Sequence, residues 1–153
     1  FQVGDFLVKN PDIAVIHLTR ENLSQRYLSL ESLHRRKIVS TKTEALSLGK
    51  MKIDVAGMLK TLDTLHQESE DECRLIGSLK GNPVLELRYE DTYRDDQTLR
   101  KMTRQVFEFL DVSPIDYVSH HRKILSRKLE DIVENHDELR EALTSTRYAH
   151  YLD

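Results

Sequence analysis

The chain has 153 residues and a formal net charge of −3 at pH 7, with 39% hydrophobic and 32% charged residues. This composition excludes a disordered chain, and the charge gives no bulk attraction to nucleic acid or to an acidic membrane surface. No apolar run approaches the roughly 20 residues that cross a bilayer. We therefore expect one cytoplasmic domain over residues 1–153, without a transmembrane segment and without a nucleic-acid partner.

The first predicted elements are a strand and a helix that follows it directly. The run IAVIHL within residues 13–19 is apolar and rich in β-branched residues, which is typical of a parallel strand covered on both faces. A helix is predicted over residues 22–38, with Asn22 as its cap. The residues expected on its apolar face are Leu23, Tyr27, Leu30 and His34. The chain thus passes from strand to helix at Arg20 and Glu21.

The middle of the chain predicts a loop, a helix and a second strand. Residues 40–50 are rich in Ser, Thr and Lys, and we interpret them as a loop that could cover a substrate. A helix is predicted from Asp54, continuing with or without a break to Leu79. Its apolar stripe, which we expect in the core, comprises Val55, Met58, Leu59, Leu62 and Leu65. Residues 84–91, VLELRYED, alternate at the strand period and are expected to pair with the first strand.

The rest of the chain predicts helices. One contains Leu99, Met102, Val106 and Phe109, and the sequence DVSP ends it. A long C-terminal helix, or a broken pair of helices, contains Leu125, Leu129, Ile132, Val133, Leu139 and Leu143. Strands separated by helices predict the α/β class, with a partial parallel sheet flanked by helices and a helix-rich C-terminal half.

Arg20 is the first candidate binding residue. In open parallel sheets, ligands bind at the carboxyl ends of the strands, where helix amino-termini also point. A guanidinium there can bind a phosphate through two parallel hydrogen bonds. Ser29 is predicted on the same helical face as Asn22 and Arg26, where its hydroxyl could contact the same anion. The alternative is structural: an ion pair between Arg20 and a carboxylate such as Asp91, with Ser29 facing solvent.

Other reactive side chains give weaker indications. The single cysteine, Cys73, lies near apolar residues, and we interpret it as a core or inert residue. Of the seven histidines, His120 and His121 are adjacent and therefore point in different directions, and no zinc motif is present. His17 lies in the first strand and His34 on an apolar helical face, where hydrogen-bonded core histidines are expected. The sequence predicts no metal site.

Three stretches carry a family resemblance. They are IHLTRENLSQRYLSL, VLELRYEDTYRDDQTLRKMTRQVFEFLDVSP and ILSRKLEDIVENHDELREAL. Together they resemble the later half of the sulfotransferase family, particularly bacterial carbohydrate sulfotransferases of the nodulation-factor type. The resemblance implies the P-loop NTPase-like sulfotransferase fold and the co-substrate 3'-phosphoadenosine 5'-phosphosulfate, with no metal or prosthetic group.

The resemblance also implies roles for particular residues. Arg20, at a strand end, and Ser29, on the following helix, would hold the 3'-phosphate of the sulfate donor. Ser24 is a lesser candidate for that contact, and Arg26 could supply additional charge. Arg127 lies in a segment, Ser126–Lys128, that relatives direct toward the nucleotide. The RYED stretch resembles a recurrent element of the family, with a structural or a substrate-steering role equally open.

The resemblance covers only part of a sulfotransferase. A glycine-rich loop with Ser and Thr binds the 5'-phosphosulfate in the family and precedes the catalytic base, and neither is recognisable in this sequence. We therefore expect the carboxyl-terminal part of an enzyme that transfers a sulfuryl group to a carbohydrate or glycolipid hydroxyl, inactive as this chain alone. The alternatives are a helical interaction domain and a fragment of a P-loop kinase. The acceptor and the catalytic residues are not identified, and a homo-oligomer stays open.

Overall fold

The computed structural model describes residues 3–36, 49–115 and 128–152. It is a mixed α/β structure composed mostly of helices, as the α/β class predicted. The elements in chain order are α1 (Val3–Lys9), β1 (Val15–Thr19), α2 (Leu23–Arg36), α3 (Val55–Ser78), β2 (Val84–Arg88), α4 (Tyr89–Thr92), α5 (Asp96–Phe109), α6 (Leu129–Ile132), α7 (His136–Thr144) and a C-terminal 3-10 turn (Ala149–Leu152).

The chain divides into two compact units. The first, here called the sheet unit, comprises Phe1–Glu21 and Gln67–Ser119, and the second, the core unit, comprises Asn22–His66 and His120–Asp153. The helix α3 contributes residues to both units. The expectation of a single domain over residues 1–153 stays a prediction.

In the sheet unit, β1 and β2 pair in parallel, as predicted. Their register runs from Val15 opposite Val84 to Thr19 opposite Arg88. The side-chain amide of Asn82 donates to two carbonyl oxygens that precede β1, those of Asn10 at 2.9 Å and of Ile13 at 3.1 Å. These bonds join the chain segments before the two strands and so help to fix the parallel register.

The strand β1 is not covered on both faces, so that prediction is wrong for the described part of the chain. Ile16 is 41% exposed and Leu18 is 47% exposed, whereas their neighbours Leu85 and Leu87 on β2 are buried. Among the described residues the sheet has two strands, so β1 has a neighbouring strand on one side only. An edge strand buries less of each side chain than a central one, even when its sequence is continuously apolar.

The helix α2 begins as predicted, and its predicted apolar face is confirmed in part: Leu23 is buried and Tyr27 packs against the core. Asn22 Oδ1 accepts from the backbone N–H of Gln25 at 2.8 Å, which confirms the cap. Two residues expected on the apolar face, Leu30 and His34, are exposed. The helix also buries Ser24, Leu28 and Ser32, spaced four residues apart. Two of these three positions carry small polar side chains, so a search for large apolar residues does not find them.

The core unit contains the main hydrophobic core. The predicted stripe on α3 is confirmed, because Met58, Leu62 and Leu65 are buried and Val55 and Leu59 pack against them. The helix runs without a break from Val55 to Ser78. The other buried members of this core are Leu23, Leu28, Met51, Ile53, Leu129, Ile132, Val133, Leu139, Leu143 and Tyr148.

The C-terminal helical prediction resolves as two helices, α6 and α7, rather than one. The break between them is fixed by backbone pairing: Met51 N–H donates to Ile132 O at 2.7 Å, and Glu134 N–H donates to Met51 O at 2.9 Å. The Asn135 side chain extends this pairing, because its amide accepts from Ile53 N–H at 2.8 Å and donates to Ile53 O at 3.0 Å. A helix through residues 133–135 would lose all four bonds.

The predicted helix containing Leu99 and Phe109 is α5. It begins with Asp95, whose side chain accepts from the backbone N–H of Thr98 at 2.7 Å, and it ends at Phe109. Cys73 is exposed on α3, so its interpretation as a core residue is wrong. Most of the predicted loop at 40–50 lies outside the described residues. Leu125 also lies outside them.

Candidate functional site

The candidate site lies at the carboxyl ends of β1 and β2. Because the two strands are parallel and in register through Thr19 and Arg88, the residues that follow them emerge at the same edge of the sheet. After β1 these are Arg20 and Glu21, and after β2 they are the residues of α4, which begins with Tyr89. All of these residues belong to the sheet unit.

Arg20 is partly buried and stacks on an aromatic ring. Its guanidinium carbon lies 4.6 Å from the centroid of the Tyr89 ring. Tyr93 packs against Tyr89 in turn, with ring centroids 4.7 Å apart. A guanidinium stacked on a ring face is restrained in orientation, while its N–H donors stay in its own plane and can reach an oxyanion there.

A network of charged side chains surrounds this stack. The backbone N–H of Glu21 donates to Glu90 Oε2 at 3.2 Å, and Arg88 Nη1 donates to Glu21 Oε1 at 3.1 Å. Asp91 accepts from Arg94 at 2.6 Å and lies 3.9 Å from Arg88. The charged side chains at this edge are Arg20, Glu21, Arg88, Glu90, Asp91 and Arg94. Their formal charges cancel, so local geometry rather than a bulk field would select an anion.

Two other predicted binding residues, Arg26 and Ser29, are on α2, in the core unit. Both are partly buried. Ser29 Oγ donates to the carbonyl oxygen of Gln25 at 2.8 Å, so its hydrogen is used within the helix. To donate to a phosphate, this hydroxyl would have to rotate away from the carbonyl. Arg127, Ser126, His120 and His121 lie outside the described residues.

Ser24, the lesser candidate, is 1% exposed. Its Oγ is buried without a hydrogen-bond partner in the part of the chain that the structure describes. A hydroxyl enclosed in this way is unsuited to contact a soluble ligand without movement of its surroundings. Ser24 is therefore no better placed than Ser29 to contact a phosphate.

Neither His17 nor His34 is a hydrogen-bonded core residue in the described part of the chain. Both ring nitrogens of His17 are buried and have no hydrogen-bond partner within residues 3–36, 49–115 and 128–152. His34 is exposed on α2. Within the same described ranges, no group of three or more His, Cys, Asp or Glu side chains is arranged to hold a metal ion.

A second polar cluster, in the core unit, was not anticipated from the sequence. Asp63 Oδ1 on α3 accepts from Tyr148 OH at 2.6 Å and from Arg147 Nη2 at 2.8 Å. The hydrogen bond from Tyr148, followed by that from Arg147, lowers the pKa of Asp63 below its usual value. Burial, followed by the bond to Asp63, raises the pKa of Tyr148. The Tyr151 ring stacks on Tyr148, with centroids 6.0 Å apart, and we interpret the cluster as structural.

Tyr89 contacts Arg20 and Glu90 contacts Glu21, although the sequence indicates neither contact. The RYED stretch is recognisable in the sequence, but its relation to Arg20 depends on the strand register, which brings the ends of β1 and β2 together. The available signal is that both stretches lie at the ends of strands that are predicted to pair in parallel. The Asp63 cluster gives no such signal, because Asp63 is far in sequence from Arg147 and Tyr148.

Comparisons with known proteins do not identify a family. No protein-family model matches the chain, and no curated protein or solved structure matches it significantly. No helix among the described residues is long and apolar enough to span a membrane.

Proposed function

We propose that this chain forms the carboxyl-terminal part of a sulfotransferase that uses 3'-phosphoadenosine 5'-phosphosulfate, with Arg20 contacting the 3'-phosphate. The observation that carries the proposal is the place of Arg20: it follows β1 at the carboxyl edge of a parallel strand pair, with its guanidinium against Tyr89. The sequence resemblance supplies the reaction class.

Arginine suits this contact for physical reasons. It stays charged at every physiological pH, and its planar donor groups match two oxygens of a phosphate. Restraint by the Tyr89 ring reduces the side-chain entropy that binding would otherwise cost. The neighbouring carboxylates offset the positive charge at longer range, so discrimination would depend on direct hydrogen bonds between Arg20 and the phosphate.

In the proposed reaction, a hydroxyl oxygen of a carbohydrate or glycolipid attacks the sulfur atom of the donor. The bond between sulfur and the bridging phosphate oxygen breaks, the hydroxyl proton passes to a base, and adenosine 3',5'-bisphosphate leaves. Such transfers depend on positioning and on cationic stabilisation of the leaving group. Arg20 would orient the donor and retain the product, without taking part in bond breaking. The base and the 5'-phosphosulfate loop would come from a segment outside these 153 residues.

An interaction domain is the rival function, and one observation favours it. The helices α1 and α5 contain no buried residue among those described, and Val3, Phe6 and Val8 on α1 are exposed apolar side chains. Exposed apolar surface of this kind is common where another polypeptide packs. A protein with only this function would have no preference between adenosine nucleotides.

Nucleotide binding separates the two functions. Calorimetry on the protein at its natural length should show tighter binding of adenosine 3',5'-bisphosphate than of adenosine 5'-phosphate. Arg20→Ala should weaken binding of the bisphosphate by roughly tenfold to a hundredfold, as expected for loss of a charge-assisted contact. It should change the affinity for the monophosphate little. Arg100→Ala, which removes an exposed arginine on α5, is the matched control. Equal affinity for both nucleotides in the unsubstituted protein would contradict the proposal.

A further inference from the structure

The backbone after β1 is held by a carboxylate from the segment after β2. The strand ladder ends at Thr19 and Arg88, so Arg20 and Glu21 lie beyond it. At that point the backbone N–H of Glu21 donates to Glu90 Oε2 at 3.2 Å. Because this peptide group is adjacent to Arg20, the bond restrains the main chain from which the Arg20 side chain projects.

Two further contacts converge on the same short segment. Tyr89 packs against the Arg20 guanidinium, and Arg88 donates to the Glu21 carboxylate at 3.1 Å. Arg88 ends β2, and Tyr89 and Glu90 follow it. These three residues therefore contact Arg20 and Glu21, the two residues that follow β1. The Arg88–Glu21 pair is exposed on both sides and contributes little by itself. The bond between Glu90 and the Glu21 backbone differs because it restrains the main chain directly.

We infer that Glu90 is a positioning residue for Arg20, holding the Arg20–Glu21 backbone so that the guanidinium meets the 3'-phosphate in the bidentate geometry. This inference rests on the proposed function. It gives the RYED stretch a specific role: Tyr89 orients the guanidinium and Glu90 fixes its backbone. Restraint before binding increases affinity because less freedom is lost when the ligand binds.

The sign of the expected effect is diagnostic. Glu90 carries a negative charge near the proposed phosphate site, so by charge alone its removal should strengthen binding of an anion. If Glu90 positions Arg20, removal of Glu90 should instead weaken binding of the anion. Glu90→Asp keeps the charge but shortens the reach to Glu21 N–H, whereas Glu90→Gln removes the charge but keeps an acceptor oxygen. These two variants therefore separate position from charge.

The experiment is calorimetry of adenosine 3',5'-bisphosphate and adenosine 5'-phosphate with the protein at its natural length. Glu90→Ala and Glu90→Asp should each weaken binding of the bisphosphate by roughly threefold to tenfold, as expected for loss of preorganisation around a retained contact. Both should change the affinity for the monophosphate much less. Glu90→Gln should retain most of the affinity for the bisphosphate. Glu86→Ala, which removes an exposed carboxylate on β2, should not weaken binding. If Glu90→Ala does not fold, the Asp and Gln variants carry the same test.

A double-mutant cycle tests whether Glu90 acts through Arg20. In an Arg20→Ala background, Glu90→Ala should cause no further loss of bisphosphate affinity. Additive losses, or equal losses for the two nucleotides, would overturn the inference. If Arg20→Ala weakens the bisphosphate selectively but Glu90→Ala and Glu90→Asp do not, the inference fails and the proposed function stands. If Arg20→Ala has no effect, both fail.

Discussion

Tyr148 donates its phenolic hydrogen to Asp63 Oδ1 over 2.6 Å, so the residue before the C-terminal 3-10 turn is bonded directly to α3. Arg147 donates to the same carboxylate oxygen at 2.8 Å and to Tyr148 OH at 3.0 Å. The three side chains form a closed set of hydrogen bonds in which each contacts the other two. The set joins the segment before the C-terminal turn to α3 within the core unit, and its contribution to stability can be measured through its dependence on pH.

We predict that Asp63→Asn lowers the melting temperature at neutral pH. The folded-state pKa of Asp63 lies below its unfolded value, so the carboxylate stabilises the fold above the unfolded pKa and loses that contribution as pH falls through the folded pKa. The difference in melting temperature between the unsubstituted protein and Asp63→Asn should therefore have its full value above about pH 4 and decrease below that pH. Thermal unfolding across a pH series measures this difference.

Tyr148→Phe is the control for the Asp63 prediction. It removes one hydrogen-bond donor and keeps the ring that packs in the core. Because Asp63 then loses its main hydrogen-bond donor, its pKa should move back toward its usual value. Asp63→Asn should lower the melting temperature less in the Tyr148→Phe protein than in the unsubstituted protein. A melting-temperature difference between the unsubstituted protein and Asp63→Asn that stays constant through the acidic range would contradict the account.

His17 provides a second stability prediction. Its buried ring nitrogens have no partner in the described part of the chain, and an unsatisfied buried polar group costs about 1–3 kcal/mol. His17→Leu should therefore raise the free energy of unfolding by about 1 kcal/mol, after allowance for imperfect packing of the new side chain. Chemical denaturation measures it, and His34→Leu, the same change at an exposed helical position, should have little effect. A loss of stability in His17→Leu would mean that this histidine makes a stabilising contact.

A third prediction concerns activity. The chain of 153 residues, prepared alone and with its mass verified, should transfer no labelled sulfate from 3'-phosphoadenosine 5'-phosphosulfate to carbohydrate acceptors. The reason is that its sequence contains no recognisable 5'-phosphosulfate loop and no base following one. Robust transfer above a control without protein would show that these residues contain a complete catalytic site of a different design.

The elements with a clear period were predictable from the sequence. The strand pair, the Asn22 cap and the stripe on α3 each follow from local rules of side-chain spacing and hydrogen bonding. The burial of Ser24 and Ser32 on α2 was not predictable in this way, because both side chains are small and polar. The exposure of Ile16 and Leu18 was also missed, since an apolar strand sequence does not reveal how many neighbouring strands it has.

The candidate site was predictable only in part. Arg20 could be identified from the change of period at the end of β1. Its contacts with Tyr89 and Glu90 could not, because they depend on the alignment of β1 with β2. The helical face of Ser29 is predictable from the sequence, but its bond to Gln25 O depends on a side-chain rotamer that the sequence does not specify.

The central claim is that Arg20 contacts the 3'-phosphate of the sulfate donor. The most direct measurement is a crystal structure of the protein at its natural length with adenosine 3',5'-bisphosphate, supported by the same structure of Arg20→Ala. We predict that the Arg20 guanidinium donates to two oxygens of the 3'-phosphate at about 2.7–2.9 Å while remaining stacked on Tyr89. A 3'-phosphate bound by other residues, with Arg20 still against Tyr89 and directed at a carboxylate, would contradict the claim.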